Sequence, residues 1–176
     1  MKTGVTVPIG ILMGSDSDWD KINGVAKALD EFGIQYEVHV MSAHRTPDTV
    51  KEYAETAIQR GISVLICAAG GAAHLAGVVA SHTTLPVIGI PVPTEFAGGL
   101  DSLLSTVQMP GDIAVATVGT GSGGARNAGL LAVQILALSD PNLRKKLEDF
   151  RAGLPAKIAE KNAALQARIQ KGEERS

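Results

Sequence analysis

Short runs rich in β-branched and aliphatic residues alternate with longer segments of helical periodicity from Pro8 to Leu138, and this alternation leaves few architectures open. Five runs read as buried strands: Pro8 to Met13, Gln35 to Met41, Ser63 to Ala68, Pro86 to Val92 and Ile113 to Val118. Between them, Asp18 to Phe32 and Pro47 to Arg60 carry apolar residues at helical spacing, with Gly33 and Gly61 placed to end them. Ala73 to Ser81, Leu100 to Met109 and Ala125 to Leu138 read as further helices with a weaker pattern. Strands joined through helices imply right-handed βαβ units, hence a parallel sheet with helices on both faces.

A chain of 176 residues with 45% apolar content suits a single core, so residues 1–140 are expected to form one α/β domain. From residue 141 to 176 Lys, Arg, Glu, Ala and Leu predominate, which suits a C-terminal helical extension, solvated or packed on a neighbouring subunit. Lys2 followed by apolar residues resembles a weak signal peptide, but Pro8 interrupts it and no cleavage pattern precedes Gly14, so it reads as the first strand. No apolar run reaches the length of about 18 residues needed to span a membrane, and a cytoplasmic location is expected. A formal net charge of −2 points to small molecules or copies of the chain as partners, not nucleic acid or an anionic membrane. The single cysteine, Cys67, lies in an apolar run and reads as a buried small hydrophobe, with no cysteine-based metal site.

Five parallel strands joined in this way suit a three-layer flavodoxin-like fold of order 2-1-3-4-5, in which ligands bind beyond the carboxyl ends of strands one and three. Three loops at the ends of strands one, two and three hold the unusual polar residues. Gly14-Ser-Asp-Ser-Asp18 opens a helix, so its free N–H groups and the Ser15 and Ser17 hydroxyls can receive a phosphate. The same segment also suits an ordinary N-cap with an acidic first turn. Asp18 fits better as an acceptor for sugar hydroxyls. Ser42-Ala-His-Arg-Thr-Pro47 brings Arg45, whose planar fork can grip phosphate, beside His44, which can exchange a proton near neutral pH. Away from a ligand crevice the pair would be surface decoration. Gly70-Gly-Ala-Ala-His-Leu75 has only small residues before His74, letting backbone approach a flat ring; alone, it would be a glycine turn with a capping histidine.

Gly119, Gly121 and Gly124 formally match a dinucleotide fingerprint, but no later strand exists to carry the ribose-binding acid, so a close helix–sheet turn is the better reading.

The three loops together resemble the signatures of class I N5-carboxyaminoimidazole ribonucleotide mutase of purine biosynthesis. The similarity extends through Leu85 to Val92, Asp101 to Pro110 and the Asn127 to Leu138 helix, roughly residues 7 to 140. It implies an isomerase that moves a carboxylate from the exocyclic nitrogen of an aminoimidazole ribonucleotide to ring carbon four, without ATP, biotin, metal or other cofactor. By motif, Ser15, Ser17, Ser42 and Arg45 would hold the phosphate side and Asp18 the ribose. Ala43, Gly70, Gly71, Ala72, Ala73, His74 and Leu75 would line the ring and carboxylate, with His44 as catalytic acid and base. The family also implies a homo-octamer with exchanged C-terminal helices. Where the family usually continues Pro-Gly-Met, this chain has Ala76-Gly77-Val78, a change in the pocket wall.

A class II carboxylase, which adds carbon dioxide directly, typically carries Ser-Ala-His-Lys and lacks the Gly-Gly-Ala-Ala-His run; Arg45 and His74 argue against it. A non-catalytic flavin or phosphate-binding module is the rival of another class. With aromatics at 3% of residues, Trp19 alone makes a poor flavin sandwich, and strand three offers no aspartate for a receiver domain.

Overall fold

The computed structural model describes residues 7–170, so the Lys2 end of the first expected strand and the last six residues of the C-terminal extension lie outside the described residues. The chain divides into two compact units, one up to Leu136 and one from Ala137 onward.

In the first unit, β1 (Ile9–Met13), β2 (Tyr36–Val40), β3 (Val64–Ala69), β4 (Val87–Pro91) and β5 (Ala116–Thr117) pair in parallel in the order β2-β1-β3-β4-β5. This is the expected order. β1 sits between β2 and β3, with Ile11 opposite Val38 on one side and Ile66 on the other. Buried on both faces, it reads as an unbroken apolar run, as central parallel strands do. β2 is the edge: Glu37 and His39 alternate with Val38 and Val40, and Val40 is 55% exposed.

Period-two alternation splits the strands between two cores. Leu12, Leu65 and Cys67 pack with Val50, Tyr53, Ala54, Leu75 and Val79, that is, against α3 (Pro47–Thr56) and α4 (Leu75–Ser81). On the other face α6 (Gly121–Leu136) lies on β3 and β4, and α2 (Gly24–Phe32) packs on α6. That packing is close enough that a Cβ on Gly129 would stand 2.8 Å from the Val25 carbonyl oxygen. Burial pushes the Cys67 thiol far up from its ordinary range, so it stays protonated and inert in the core.

The expected first helix is broken into a 3-10 turn (Asp16–Asp18), α1 (Trp19–Ile22) and α2. The break between α1 and α2 falls at Asn23, and at Gly24 α2 passes so close to α6 that a Cβ would meet the Arg126 backbone nitrogen at 3.3 Å. α2 ends at Gly33, whose φ of 73° lets the Gly33 and Ile34 amides fold back onto the Leu29 and Asp30 carbonyls. The fifth strand is two residues long rather than the expected run from Ile113. Residues 110–113 form a turn instead, closed by Ile113 N–H on the Pro110 carbonyl, with Asp112 at φ 73°. α6 begins at Gly121, earlier than expected, and Gly124 packs directly on the Gly119 carbonyl. α5 (Leu100–Val107) starts from Gly99 beside β4.

The second unit contains α7 (Pro141–Ala152) and α8 (Leu154–Gln170). Asp140 caps α7 by accepting from the Asn142 and Leu143 amides at 2.9 and 3.1 Å. Along α8, exposed Leu154, Ile158, Leu165 and Ile169 recur at helical spacing on one side. Among the described residues no helix is long and apolar enough to cross a membrane.

Candidate active site

The ends of β1, β2 and β3 open onto one crevice because these strands are neighbours in the sheet. The pairing continues just beyond the strands, through Gly14 N–H to the Ala68 carbonyl at 3.3 Å and Met41 N–H to the Met13 carbonyl at 2.9 Å. All three loops therefore leave the sheet at the same level.

In the first loop, Ser15 caps the 3-10 turn by accepting from Ser17 N–H, and the two hydroxyls lie 2.8 Å apart. The second loop closes on itself. Ser42 N–H donates to Thr46 Oγ1 at 2.9 Å, and Ser42 Oγ accepts from the amides of His44 and Arg45 at 3.3 and 3.2 Å. With those two bonds accepted, the Ser42 hydroxyl keeps its own proton to donate. Pro47 starts α3 at a position where the missing N–H costs no helical bond.

Arg45 reaches across to the first loop, Nη2 donating to the Gly14 carbonyl at 2.9 Å, which holds a positive charge beside the Ser15 turn. His44 reaches to the third loop instead. Its Nε2 lies 2.7 Å from His74 Nδ1, with the rings nearly perpendicular at 71°. One of these nitrogens donates and the other accepts, which holds the His44 ring over the crevice.

The third loop turns sharply at Gly71, φ 66°, and is closed by Ala73 N–H on the Gly70 carbonyl at 3.2 Å. His74 stands at the start of α4.

These loops enclose a cleft of about 410 Å³, lined by Gly14, Ser15 and Asp18, by Ser42 to Arg45, and by Ala69, Gly70, Ala73, His74 and Leu75. That volume lies within the usual range for a small-molecule site of about 300–1,000 Å³. Three of the residues singled out from the sequence lie outside the lining. Ser17 stands behind Ser15, Gly71 turns its N–H to Ser102, and Ala72 is exposed beside the cleft. Gly14, which opens the first of the three expected loops, lines it too, and Ala69 lines it unanticipated, marked in sequence only by standing at a strand end. Partial burial pushes the Asp18 carboxyl above the usual aspartate range, with Asp16 adding to the rise; Lys21 and the Ser15 backbone hydrogen bond oppose it. Among the described residues no group of three His, Cys, Asp or Glu side chains is placed to hold a metal ion.

A family model described as AIR carboxylase matches residues 8–157. The chain is 53% identical over 157 residues to the N5-carboxyaminoimidazole ribonucleotide mutase of Bacillus subtilis, covering 89% of this chain and 97% of that one. It is 56% identical over 158 residues to the protein of that name from Mycobacterium leprae, covering 90% and 91%. Among solved structures it resembles Treponema denticola PurE, with a TM-score of 0.76 and 32% identity over 89% of this chain and 97% of that one.

Proposed function

Since the chain belongs to the AIR carboxylase family, we propose that it is an isomerase of purine biosynthesis, converting N5-carboxyaminoimidazole ribonucleotide into its 4-carboxy isomer. The observation that carries this reading is the convergence of His44, Arg45, Ser15 and Gly70 on one crevice in a chain so similar to two named mutases.

Arg45 and the Ser15 and Ser42 hydroxyls receive the phosphate, with Ser17 bracing Ser15 and Arg45 supplying the cation that three nearby aspartates make necessary. Asp18, also in the cleft lining, accepts from the ribose hydroxyls. Ala43 and the Gly70 to Leu75 loop take the ring and its carboxylate, most closely through Gly70, Ala73, His74 and Leu75, while Gly71 and Ala72 shape the turn.

His44 moves the proton. It protonates the carbamate nitrogen as the N–C bond breaks, releasing carbon dioxide and the free amine. Ring carbon four then attacks carbon dioxide, and His44 takes back the proton that this carbon carries, restoring the aromatic ring. One proton is given and one returned, so the cycle closes without a cofactor or ATP. Acid–base help of this kind is worth about 10²–10⁴ in rate.

Exposed Leu154, Ile158, Leu165 and Ile169 on α8, and Phe96, Leu100, Leu104 and Val107 around α5, support a homo-octamer of this chain, with the C-terminal extension packing on neighbouring subunits. Analytical ultracentrifugation tests this assembly. A cytoplasmic location accords with a purine precursor as substrate.

Purified protein given either carboxylated ribonucleotide, without ATP or bicarbonate, should interconvert the two by proton NMR. His44→Asn should bind the ribonucleotide but not turn it over. Product from aminoimidazole ribonucleotide plus bicarbonate alone, without interconversion, would favour direct carboxylation; binding without either reaction would favour a non-catalytic module.

A further inference from the structure

The third loop does not adopt a conformation that its residues prefer. Ala73 sits at φ 38°, a left-handed geometry that costs a residue with a Cβ roughly 1–2 kcal/mol, yet it is buried and lines the cleft. Such strain persists only where surrounding groups over-determine the backbone. A hydrogen bond from α5, outside the cleft, reaches the same loop. Gly71 N–H donates to Ser102 Oγ at 2.9 Å, and Ser102 is fully buried.

A hydroxyl oxygen that accepts from an amide still has its own hydrogen to place. The acceptor facing Ser102 is Asp101 Oδ1 at 3.5 Å, the same oxygen that takes the Thr94 hydroxyl at 2.6 Å. The Thr94 bond, with others from the Ser102 side, holds the Asp101 carboxyl below the usual range despite some burial. An ionised carboxylate only accepts, so both hydroxyls point into it and the bonds run one way, from Gly71 through Ser102 to Asp101. Thr94 also stands beside the loop, its methyl 3.5 Å from where a Cβ on Gly70 would stand, a space the glycine leaves open. None of these three residues lines the cleft, so whatever they do for a bound molecule passes through the loop.

We propose that Thr94, Asp101 and Ser102 are positioning residues: a hydrogen-bonded relay that fixes the Gly70–Gly71 peptide and with it the wall on which the substrate's reacting end rests. Without the relay the peptide can flip, because the two glycines oppose rotation weakly, and the wall at Gly70 and Ala73 changes shape. Phosphate and ribose are held by the other two loops, so the relay acts on the chemical step. Its activity arm rests on the mutase reading above.

The test compares Thr94→Val, which keeps the shape and removes the hydroxyl, with Thr94→Ser, which keeps the hydroxyl, and with Ser102→Ala. Thr94→Val and Ser102→Ala should lower kcat by about tenfold or more, the scale of a reacting group misplaced by part of an ångström, with KM changed less than about threefold. Thr94→Ser should stay within about threefold of the parent in both constants, a rescue that loss of packing would not give. Should Ser102→Ala unfold, the Thr94 pair decides by itself. Amide hydrogen exchange gives a second readout, independent of activity: Gly71 N–H should be protected in the parent and exchange faster in Thr94→Val, while Ile66 in β3 is unchanged. If the parent protein does not interconvert the ribonucleotides, the mutase reading falls and Gly71 exchange still judges the relay. Unchanged Gly71 exchange, or a kcat in Thr94→Val equal to that of Thr94→Ser, overturns it.

Discussion

Arg45 donates to the Gly14 carbonyl across 2.9 Å, joining the loop that ends β2 to the loop that ends β1. The bond fixes a guanidinium beside the Ser15 turn before any ligand arrives, which lowers the ordering cost of gripping a phosphate. Arg45→Ala should raise the Kd for the ribonucleotide by at least about tenfold, as expected when a charge-assisted bond worth about 1.5–3 kcal/mol is lost. Arg45→Lys should recover only part of it, since a single ammonium cannot serve the Gly14 carbonyl and two phosphate oxygens in one plane. Titration calorimetry against the phosphorylated ligand measures this, and an unchanged Kd for Arg45→Ala would refute the phosphate role.

Asp18 should show a conflict between stability and function. Its folded pKa is raised, chiefly by burial, so the ionised carboxylate at neutral pH costs the folded state free energy, and this cost disappears as pH falls through the folded value toward the unfolded value of about 3.9. Asp18→Asn should therefore melt at a higher temperature than the parent at pH 7, by a margin that shrinks toward pH 4. The same variant should raise KM by weakening the hold on the ribose. A melting temperature that falls at pH 7 would contradict the burial argument.

Glu37 shows the opposite sign on the β2 edge. Burial pushes its carboxyl up, but the Tyr53 hydroxyl at 2.7 Å and the Arg60 guanidinium at 2.5 Å outweigh burial and hold it below the ordinary range. A folded pKa below the unfolded one contributes stability that is present above the unfolded value, about 4.3, and lost as pH falls through the folded value. Glu37→Gln should cost roughly 1 kcal/mol in urea unfolding at pH 7, since an exposed edge screens the pair and the amide still accepts one bond. The two proteins should converge in stability below the folded pKa. A difference that persists unchanged into acid would assign the effect to packing instead.

The strand order was legible because β1, β3 and β4 carry near-continuous apolar runs, which only a sheet covered on both faces can bury. The crevice was legible for a related reason: polar and glycine residues directly follow β1, β2 and β3, which that order sets side by side with their carboxyl ends together. What stayed hidden depends on contacts between distant segments. Nothing local in the sequence announces how closely α6 approaches α2 at Gly24. Asp112 adopts a positive φ in a turn that Pro110-Gly111-Asp112 marks in sequence, but those residues do not tell how short the strand after it is. Ser102 reads as an ordinary helix residue, and only the folded chain brings it within 2.9 Å of an amide 31 positions away. In sequence Asp101 and Ser102 stand out only as the start of the Asp101 to Pro110 segment that resembles the family, without a role of their own.

The central claim is that one crevice releases and recaptures the same carbon dioxide while His44 carries one proton out and back. Its most direct test is carbon-13 NMR of N5-carboxyaminoimidazole ribonucleotide labelled in the carbamate carbon, incubated with the protein in excess unlabelled bicarbonate. The account predicts that the label appears in the 4-carboxyl group at nearly its starting enrichment. Product enriched only to the level of the bicarbonate pool, or no 4-carboxy product at all, would contradict it.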